Sequence, residues 1–313
     1  MARAFVFPGQ GSQGVGMGAA LAEAFPAARE LFEEVDEALK QRLSKLMREG
    51  PESELTLTEN AQPALMAVSL AAVRVLEREM GCRLADSAAF VAGHSLGEYS
   101  ALAAAGAFQV ADAARLLKRR GRAMQKAVPV GEGAMAALIG ADLDQAQAIA
   151  KEAAQGEVCA PANDNAPGQV VVSGNKAAVE RAVALAAERG IKRSVMLPVS
   201  APFHCALMQP AAEDMAEALA EAKILPPAVP VVANVTASPV KDPETIRRLL
   251  VEQVTGLVRW RESVLAMKEA GVGTIVELGA GKVLSGLVKR IDRDIAASSA
   301  GTPEELEALA KTL

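Results

Sequence analysis

A five-residue turn, Gly93-His94-Ser95-Leu96-Gly97, constrains the fold of this chain more than any other segment. It follows an apolar run over 88–92 that predicts a buried strand, and it leads into an alanine-rich helix. Strand, tight glycine turn and helix in succession indicate a parallel α/β unit. The glycines leave room where larger side chains would clash, so the Ser95 hydroxyl projects outwards and the Leu96 amide can receive an oxyanion. The turn therefore predicts a nucleophilic serine; the alternative is a glycine-rich turn without chemistry.

The segments around this turn repeat the α/β pattern. An apolar run over 4–7 predicts a second short strand, closed by Pro8-Gly9. Further strands are predicted over 229–235 and 274–278, and helices over 18–39, 61–80, 110–127 and 206–222. We expect one larger α/β domain, formed by residues 1–127 and 199–313, with a parallel sheet at its core.

The intervening residues 128–198 follow a different order. Strands are predicted over 134–139, 157–160, 169–172 and 191–197, and helices over 142–154 and 175–189. Asn163-Asp164-Asn165 falls in the turn-rich loop between the second and third of these strands. The order βαββαβ is that of a ferredoxin-like unit, so we expect a small domain inserted in the larger one.

Composition limits the classes of function. Hydrophobic residues make up 51% of the 313 residues and charged residues 23%, which is typical of a folded globular protein. The net charge of -5 argues against a nucleic-acid binder that works by neutralising phosphates. The three cysteines are scattered and only two histidines occur, so we expect neither a disulfide framework nor a histidine-rich metal site.

Neither of the two most apolar stretches predicts a membrane segment. The run over 4–7 is too short for the core of a secretory signal. The stretch over 61–76 contains Gln62, Pro63 and Arg74, which favours a buried helix over a membrane span. We therefore expect a cytoplasmic protein without a membrane partner.

A serine nucleophile needs a base, and two histidines are available. His94 is the immediate neighbour of Ser95, so its side chain should diverge from the hydroxyl at such a turn. His204 follows the strand predicted to end near residue 199, at a strand-to-helix junction where α/β proteins place reactive groups. His204 is therefore the predicted base, and the alternative is a structural histidine. Its neighbour Cys205 is interpreted as a small buried residue, because nothing marks its thiol as activated.

The third member of a catalytic triad is missing in any obvious form. The acidic residues between Ser95 and His204 lie on predicted helix faces or in the loop at 163–165, and none stands at a clear strand end. A backbone carbonyl could orient the imidazole instead, which would give a Ser-His dyad.

One arginine lies on the apolar side of its predicted helix. In the helix over 110–127, Arg120 lies about 60° around the axis from Leu117, a member of the apolar stripe. An arginine there needs an anionic partner, because burial of an unpaired charge is costly. A structural salt bridge or a snorkelling side chain is one interpretation. The other is a fork that grips a substrate carboxylate by two hydrogen bonds.

The loop after the first strand, Gly9-Gln10-Gly11-Ser12-Gln13-Gly14, matches the dinucleotide-binding pattern G-x-G-x-x-G. Pro8 precedes it, and no acidic residue follows at the end of a second strand, which weighs against a nucleotide site. A second source of backbone N–H groups for an oxyanion hole is favoured, since serine sites of this type take one from an early loop. A non-catalytic nucleotide-binding protein is the alternative from another class.

Three motifs in this order resemble the family of malonyl-CoA:acyl-carrier-protein transacylases. They are Phe5-Val6-Phe7-Pro8-Gly9-Gln10-Gly11-Ser12-Gln13, Gly93-His94-Ser95-Leu96-Gly97-Glu98-Tyr99 and Pro202-Phe203-His204-Cys205. The segments 59–65, 165–171 and 277–283 are also similar, so the resemblance covers nearly the whole chain.

The resemblance implies an α/β-hydrolase-like larger domain with a parallel sheet core and a ferredoxin-like insert. It implies that Ser95 is acylated, that His204 is its base, and that the backbone amides of Gln10 and Leu96 form the oxyanion hole. It assigns Arg120 to the malonyl carboxylate.

Two further residues gain a role from the resemblance. Gln253 matches a family glutamine near the active site, and its backbone carbonyl is the expected partner of His204. Phe203 resembles the malonyl-selective pattern, since a serine at that place accompanies methylmalonyl selectivity in related acyltransferases. A ring there would crowd an α-methyl group.

The implied reaction transfers malonyl from malonyl-CoA to the phosphopantetheine thiol of holo acyl carrier protein, by a ping-pong mechanism through malonyl-serine, for fatty acid or polyketide chain extension. We expect no metal or redox cofactor, and malonyl-CoA counts as a substrate. A monomer suffices for this reaction. Carrier proteins of this kind are acidic, so we expect a basic docking surface with Lys192, Arg193, Lys289 and Arg290 as candidates. A serine esterase or thioesterase on the same fold is the alternative.

Overall fold

The computed structural model describes residues 2–191 and 193–313, which form two β-sheets with helices packed around them. The strands are β1 Ala2–Phe7, β2 Phe90–Gly93, β3 Gly133–Ile139, β4 Cys159–Ala166, β5 Gln169–Asn175, β6 Arg193–Met196, β7 Val231–Ala233, β8 Ser238–Val240, β9 Val272–Leu278 and β10 Ala296–Ala300. The helices of the first half are α1 Ala19–Ala24, α2 Pro26–Leu39, α3 Leu43–Glu49, α4 Glu52–Leu55, α5 Thr58–Arg78, α6 Leu84–Ser87, α7 Leu96–Ala104 and α8 Val110–Ala127. Those of the second half are α9 Leu143–Ala154, α10 Lys176–Glu188, α11 Gln209–Glu221, α12 Pro243–Thr255, α13 Trp260–Glu269, α14 Val283–Ile291 and α15 Pro303–Ala310.

The larger sheet is covered on both faces. Its strand order is β10-β9-β1-β2-β7-β8, and all neighbouring strands are parallel except β7 and β8. In β1, Phe5 and Phe7 pack into one apolar cluster and Ala4 and Val6 into another, which explains the continuous apolar run in the sequence. Phe7 pairs with Gly93 at the carboxyl ends of β1 and β2, so the loop that follows each strand lies beside the other.

The smaller sheet is antiparallel, with the order β4-β5-β3-β6. Helices α9 and α10 pack on one face through a cluster that includes Leu138, Ile149 and Val179. This strand order, with one helix after β3 and one after β5, is the ferredoxin-like arrangement expected from the sequence. The predicted α/β class, a parallel core and a ferredoxin-like insert, is therefore confirmed.

Strand β4 ties the smaller sheet to the larger part of the chain. The Asp164 amide donates to the Val258 carbonyl at 2.9 Å, and the Val258 amide donates to the Ala162 carbonyl at 2.9 Å. The buried Asp164 carboxylate also pairs with Arg261 at 2.8 Å. The insert is thus hydrogen-bonded to the segment before α13 and is not merely linked in sequence.

Several predicted boundaries were wrong. The helix predicted over 18–39 is interrupted at Phe25, which is extended before Pro26 because proline disfavours the helical conformation of the residue before it. The turn predicted at 163–165 lies within β4, where two register shifts accommodate its polar residues against β5. The helix predicted from residue 206 begins as a 3-10 turn, Ala206–Met208, before α11. The sequence analysis also missed β8, β10 and helices α3, α4, α6 and α12 to α15.

None of the helices that the described residues form combines the length and the apolar character needed to cross a membrane.

Candidate active site

The turn between β2 and α7 holds Ser95 in a conformation that few residues other than glycine adopt, with φ 54° and ψ -111°. A Cβ atom on Gly93 would lie 1.9 Å from the carbonyl carbon of Gly97, and one on Gly97 would lie 2.2 Å from the carbonyl oxygen of Phe7. Both positions therefore require glycine. The close approach of β2, α7 and the end of β1 forces the sharp turn that presents the Ser95 hydroxyl.

Ser95 and His204 lie within hydrogen-bonding distance. The Ser95 hydroxyl is 2.8 Å from His204 Nε2, and His204 Nδ1 donates to the Gln253 carbonyl at 2.8 Å. A proton on Nδ1 leaves Nε2 as the acceptor, which is the tautomer that a general base needs. His204 also has a positive φ of 56°, so the segment after β6 is bent to aim the ring at the serine. Ser95 and His204 therefore form a dyad in which the main chain of α12 orients the imidazole ring.

Burial, and then the nearby charge of Arg120, lower the pKa of His204 to about 3. The imidazole is therefore neutral at physiological pH and free to accept a proton. The protonated ring that forms during a reaction needs stabilisation from charge that develops in the substrate.

The Arg120 side chain is 1% exposed and reaches the Ser95 hydroxyl. Its Nη2 donates to the Ser95 hydroxyl oxygen at 3.1 Å and to Gln253 Oε1 at 2.8 Å, while Nη1 donates to Gln62 Oε1 at 2.8 Å. The guanidinium carbon lies 5.7 Å from the centre of the Tyr99 ring. The hydrogen-bond partners of the cation are thus neutral oxygens, and its Nε has no hydrogen-bond partner in the described part of the chain. A carboxylate entering here would meet a buried, incompletely satisfied guanidinium.

A cavity of about 480 Å³ opens onto these groups. It is lined by Ser95, His204 and Arg120, and also by three other residues predicted for the site: Gln10, Leu96 and Phe203. Met124, Met135, Leu197 and Val199 give the remaining wall an apolar character. Six of the seven predicted site residues therefore face one cavity, and the seventh, Gln253, lies behind it in contact with His204 and Arg120.

The glycine loop after β1 belongs to the same cavity. A Cβ on Gly9 would lie 2.8 Å from the carbonyl oxygen of His94, so the loop packs directly on the turn that carries the serine. Gln10 follows and lines the cavity. The placement supports the interpretation of this loop as part of a serine site over the alternative of a nucleotide site.

The His94 side chain turns away from the Ser95 hydroxyl, as expected for the residue directly before the serine in such a turn. Its Nε2 lies 2.8 Å from Asn165 Oδ1 on β4, and its ring lies 5.8 Å from that of Trp260. His94 therefore links the turn to the smaller sheet.

The sequence analysis missed a buried polar network under the turn. Asn234, directly after β7, accepts from the Ser95 amide at 2.8 Å and donates from Nδ2 to the Gly93 carbonyl at 2.7 Å. Glu98 Oε2 accepts from the Asn234 amide at 3.0 Å and from Gln253 Nε2 at 2.8 Å. Burial raises the pKa of Glu98 to about 7. The only hint in the sequence is a glutamate in the first turn of an otherwise apolar helix.

Comparison with known proteins identifies the family. Residues 4–301 match the acyl transferase domain family. The malonyl CoA-acyl carrier protein transacylase of Bacillus subtilis (strain 168) is 47% identical over 311 residues, which are 99% of this chain and 96% of that protein. The protein of the same name from Escherichia coli (strain K12) is 48% identical over 305 residues, 97% of each chain.

Solved structures agree with these relatives. The acyl-carrier-protein S-malonyltransferase of Bartonella henselae superposes with a TM-score of 0.97 at 56% identity, over 100% of this chain and 99% of that one. A malonyl-transacylase solved in complex with its type II polyketide synthase acyl-carrier protein superposes with a TM-score of 0.96 at 44% identity, over 100% of both chains. The chain therefore belongs to the acyl transferase family, among the malonyl CoA-acyl carrier protein transacylases.

Proposed function

We propose that this chain transfers a malonyl group from malonyl-CoA to the phosphopantetheine thiol of an acyl carrier protein, through a malonyl-Ser95 intermediate. The observation that carries the proposal is the position of Arg120, whose buried guanidinium lies 3.1 Å from the nucleophilic oxygen. A cation at that distance suits an acyl group that bears its own carboxylate near the reacting carbonyl.

In the first half-reaction the malonyl carboxylate binds Arg120 and the thioester carbonyl lies above Ser95. The Ser95 oxygen attacks the carbonyl carbon while its proton passes to His204 Nε2. The tetrahedral intermediate then collapses, the carbon–sulfur bond breaks, and CoA leaves as the thiol with the proton from His204.

In the second half-reaction the phosphopantetheine thiol takes the place of CoA. His204 accepts the thiol proton, the sulfur attacks the malonyl ester, and the Ser95 oxygen leaves with that proton. Each proton thus passes between Ser95, His204 and one of the two thiols, and the dyad returns to its starting state. Neither half-reaction requires a metal or a redox cofactor.

The backbone amides of Gln10 and Leu96 are the proposed oxyanion hole. Leu96 is the first residue of α7, so its amide is one of the free N–H groups at a helix N-terminus. Gln10 approaches from the opposite loop and lines the same cavity. Two such donors, aimed where negative charge develops, provide a large share of the catalysis in acyl transfer.

Phe203 is the proposed selectivity residue. Its side chain is largely buried and lines the cavity beside His204. A ring there should exclude an α-methyl substituent at a free-energy difference of roughly 1–3 kcal/mol. Phe203→Ser should therefore raise methylmalonyl loading relative to malonyl loading, as measured by competition between the two CoA esters.

An acidic carrier protein is the proposed partner, with docking centred on basic residues. Arg193 on β6 and Lys289 and Arg290 on α14 are exposed, and Arg290 also hydrogen-bonds Gln169. The candidate Lys192 lies outside the described residues. Reversal of charge at Arg193, Lys289 and Arg290 should raise KM for the carrier protein and leave malonyl loading unchanged; unaltered kinetics for the carrier protein would remove these residues from the docking surface.

Intact-protein mass spectrometry after mixing with malonyl-CoA tests the proposed function. The native chain should gain a malonyl adduct that Ser95→Ala lacks and that disappears when holo carrier protein is added. Arg120→Ala should lose malonyl loading and keep acetyl loading. Free malonate without a lasting adduct would identify a thioesterase instead.

A further inference from the structure

A chain of side-chain hydrogen bonds connects the buried arginine to the glycine loop after β1. Arg120 Nη1 donates to Gln62 Oε1 at 2.8 Å, and Gln62 Nε2 donates to Thr58 Oγ1 at 2.9 Å. Thr58 Oγ1 then donates to Gln10 Oε1 at 2.8 Å. In each of the three bonds the donor is the residue nearer to Arg120 in this chain. The bonds are therefore aligned, and each one polarises the next.

Thr58 is the centre of this chain and is fully buried. It is the first residue of α5, and Gln62 follows one turn later on the same face. The hydroxyl accepts one hydrogen bond and donates another. An apolar side chain of the same size could do neither. Thr58 is not among the residues that line the cavity, so any effect on the reaction must pass through its two partners.

The loop that Thr58 contacts is rich in glycine. Gln10 lies between Gly9 and Gly11, and Gly11 has a φ of 105°. Glycines restrict their own backbone less than other residues do, so contacts of the loop have a larger share in fixing the orientation of the Gln10 peptide groups. The bond from Thr58 is the direct link between the Gln10 side chain and the rigid body of α5.

We propose that Thr58 is a positioning residue, which orients Gln10 in the oxyanion hole and ties that loop to the arginine that binds the substrate carboxylate. The inference rests on the proposed function of Arg120 and Gln10. The carboxylate-binding group and the oxyanion donor are thereby held at a fixed separation, as a malonyl group requires, because one methylene separates its carboxylate from its thioester carbonyl.

Thr58→Val tests this role, because it removes the hydroxyl and keeps the shape of the side chain. The rate constant for malonyl loading should fall about 10- to 100-fold, a part of the loss known for deletion of an oxyanion donor. KM for malonyl-CoA should stay within about twofold, since ground-state contacts are unchanged. Thr58→Ser keeps the hydroxyl and should restore most of the rate.

Ser69→Ala is the matched control. Ser69 is a buried hydroxyl on the same helix, and its Oγ has no hydrogen-bond partner in the described part of the chain. Its loss should leave the loading rate unchanged. If Thr58→Val does not fold, Gln10→Leu removes the same bond from the loop side and leaves α5 intact.

A double-mutant cycle tests the chain as a unit. On a Gln62→Leu background the link from Arg120 to Thr58 is already broken but the bond from Thr58 to Gln10 remains, so Thr58→Val should cost a smaller fold loss there than in the native chain. Equal fold losses on both backgrounds would separate Thr58 from the arginine and overturn the coupling.

The remaining outcomes distinguish the two proposals. If the native chain forms no malonyl adduct, the proposed function fails. If the native chain loads malonyl and Thr58→Val loads it at the same rate, or if Thr58→Ser is as slow as Thr58→Val, the positioning role fails and the proposed function stands.

Discussion

The main-chain carbonyl of Gln253 accepts the Nδ1 hydrogen of His204 at 2.8 Å, in the place where a Ser-His-Asp triad has a carboxylate. A peptide carbonyl orients the ring as well as a carboxylate does but adds no full charge. The dyad therefore relies on other groups to stabilise the protonated imidazole.

Substitution of the Gln253 side chain should leave this contact in place. Gln253→Ala keeps the carbonyl and loses the bonds to Arg120 and Glu98, so we expect the malonyl loading rate to fall by about tenfold. His204→Ala should cost about a thousandfold or more, because it removes the base. Quenched-flow loading measures both; a loss for Gln253→Ala as large as that for His204→Ala would contradict orientation by the main chain.

Malonyl loading should be nearly independent of pH on the acid side. Because burial and Arg120 lower the pKa of His204 to about 3, its basic form prevails down to that pH. A histidine with a pKa of about 6.5 would lose about tenfold between pH 8 and pH 5.5. The test is the loading rate constant across this range, with Glu98→Gln as a control for the second group that titrates there. An acid limb centred near pH 6.5 in both proteins would contradict the low pKa.

Glu98 should make stability fall as pH rises. Its pKa is raised by burial to about 7, so its contribution to stability is fully present below about pH 4.5 and is lost as pH rises through about 7. Glu98→Gln cannot ionise and should gain relative to the native chain by up to about 3 kcal/mol between pH 4.5 and pH 8. Denaturant unfolding at several pH values measures the difference, and a gap that does not grow with pH would show that Glu98 titrates normally.

Asn234 should be needed to keep Ser95 in its strained conformation. Asn234→Ala removes bonds to the Ser95 amide and the Gly93 carbonyl, which should lower the free energy of unfolding by about 1–3 kcal/mol. The loading rate should fall further than this loss of stability explains at a temperature where the variant is folded. Asn60→Ala is the control, because Asn60 is also buried but bonds Gln41, Glu54 and Lys118. Equal effects of the two variants on loading would deny Asn234 a special role.

Two helical glycines should respond in opposite ways to alanine. A Cβ on Gly121 would lie 2.5 Å from the Cα of Glu59, whereas a Cβ on Gly286 meets nothing within 4 Å. Gly121→Ala should therefore push α8 away from α5, lower the melting temperature and slow loading through its neighbour Arg120. Gly286→Ala should raise the free energy of unfolding by about 0.5–1 kcal/mol, because alanine is the better helix former. Thermal unfolding of the two variants measures both effects. An increase in the melting temperature of Gly121→Ala would contradict the close packing of α8 against α5.

The sequence predicts the parts of this molecule that depend on local pattern. The turn around Ser95, the α/β class, the βαββαβ order and the misplaced Arg120 all follow from spacing and periodicity. The residues that hold the site from behind cannot be predicted in this way, because their positions depend on which segments the fold brings together. Asn234 lies 139 residues from Ser95 along the chain, and neither its neighbours nor its period marks it as the acceptor for the Ser95 amide.

Local composition also misled the prediction in one place. Asn163-Asp164-Asn165 has the composition of a turn, yet it forms part of β4, where two of its three polar side chains have partners that the sequence does not reveal. Asp164 pairs with Arg261, and Asn165 with His94. Tertiary contacts thus overrode a local preference for a loop.

The bond between His94 and Asn165 bears on how such proteins can be recombined. His94, the residue beside the nucleophile, is held by β4 of the insert. Replacing the insert therefore requires more than matching the chain at its two junctions. A chimaera that takes residues 128–198 from a distant relative must also preserve the pairing of these two side chains and the backbone bonds to Val258. Grafts that change only one partner would deliver a folded insert beside a misaligned serine.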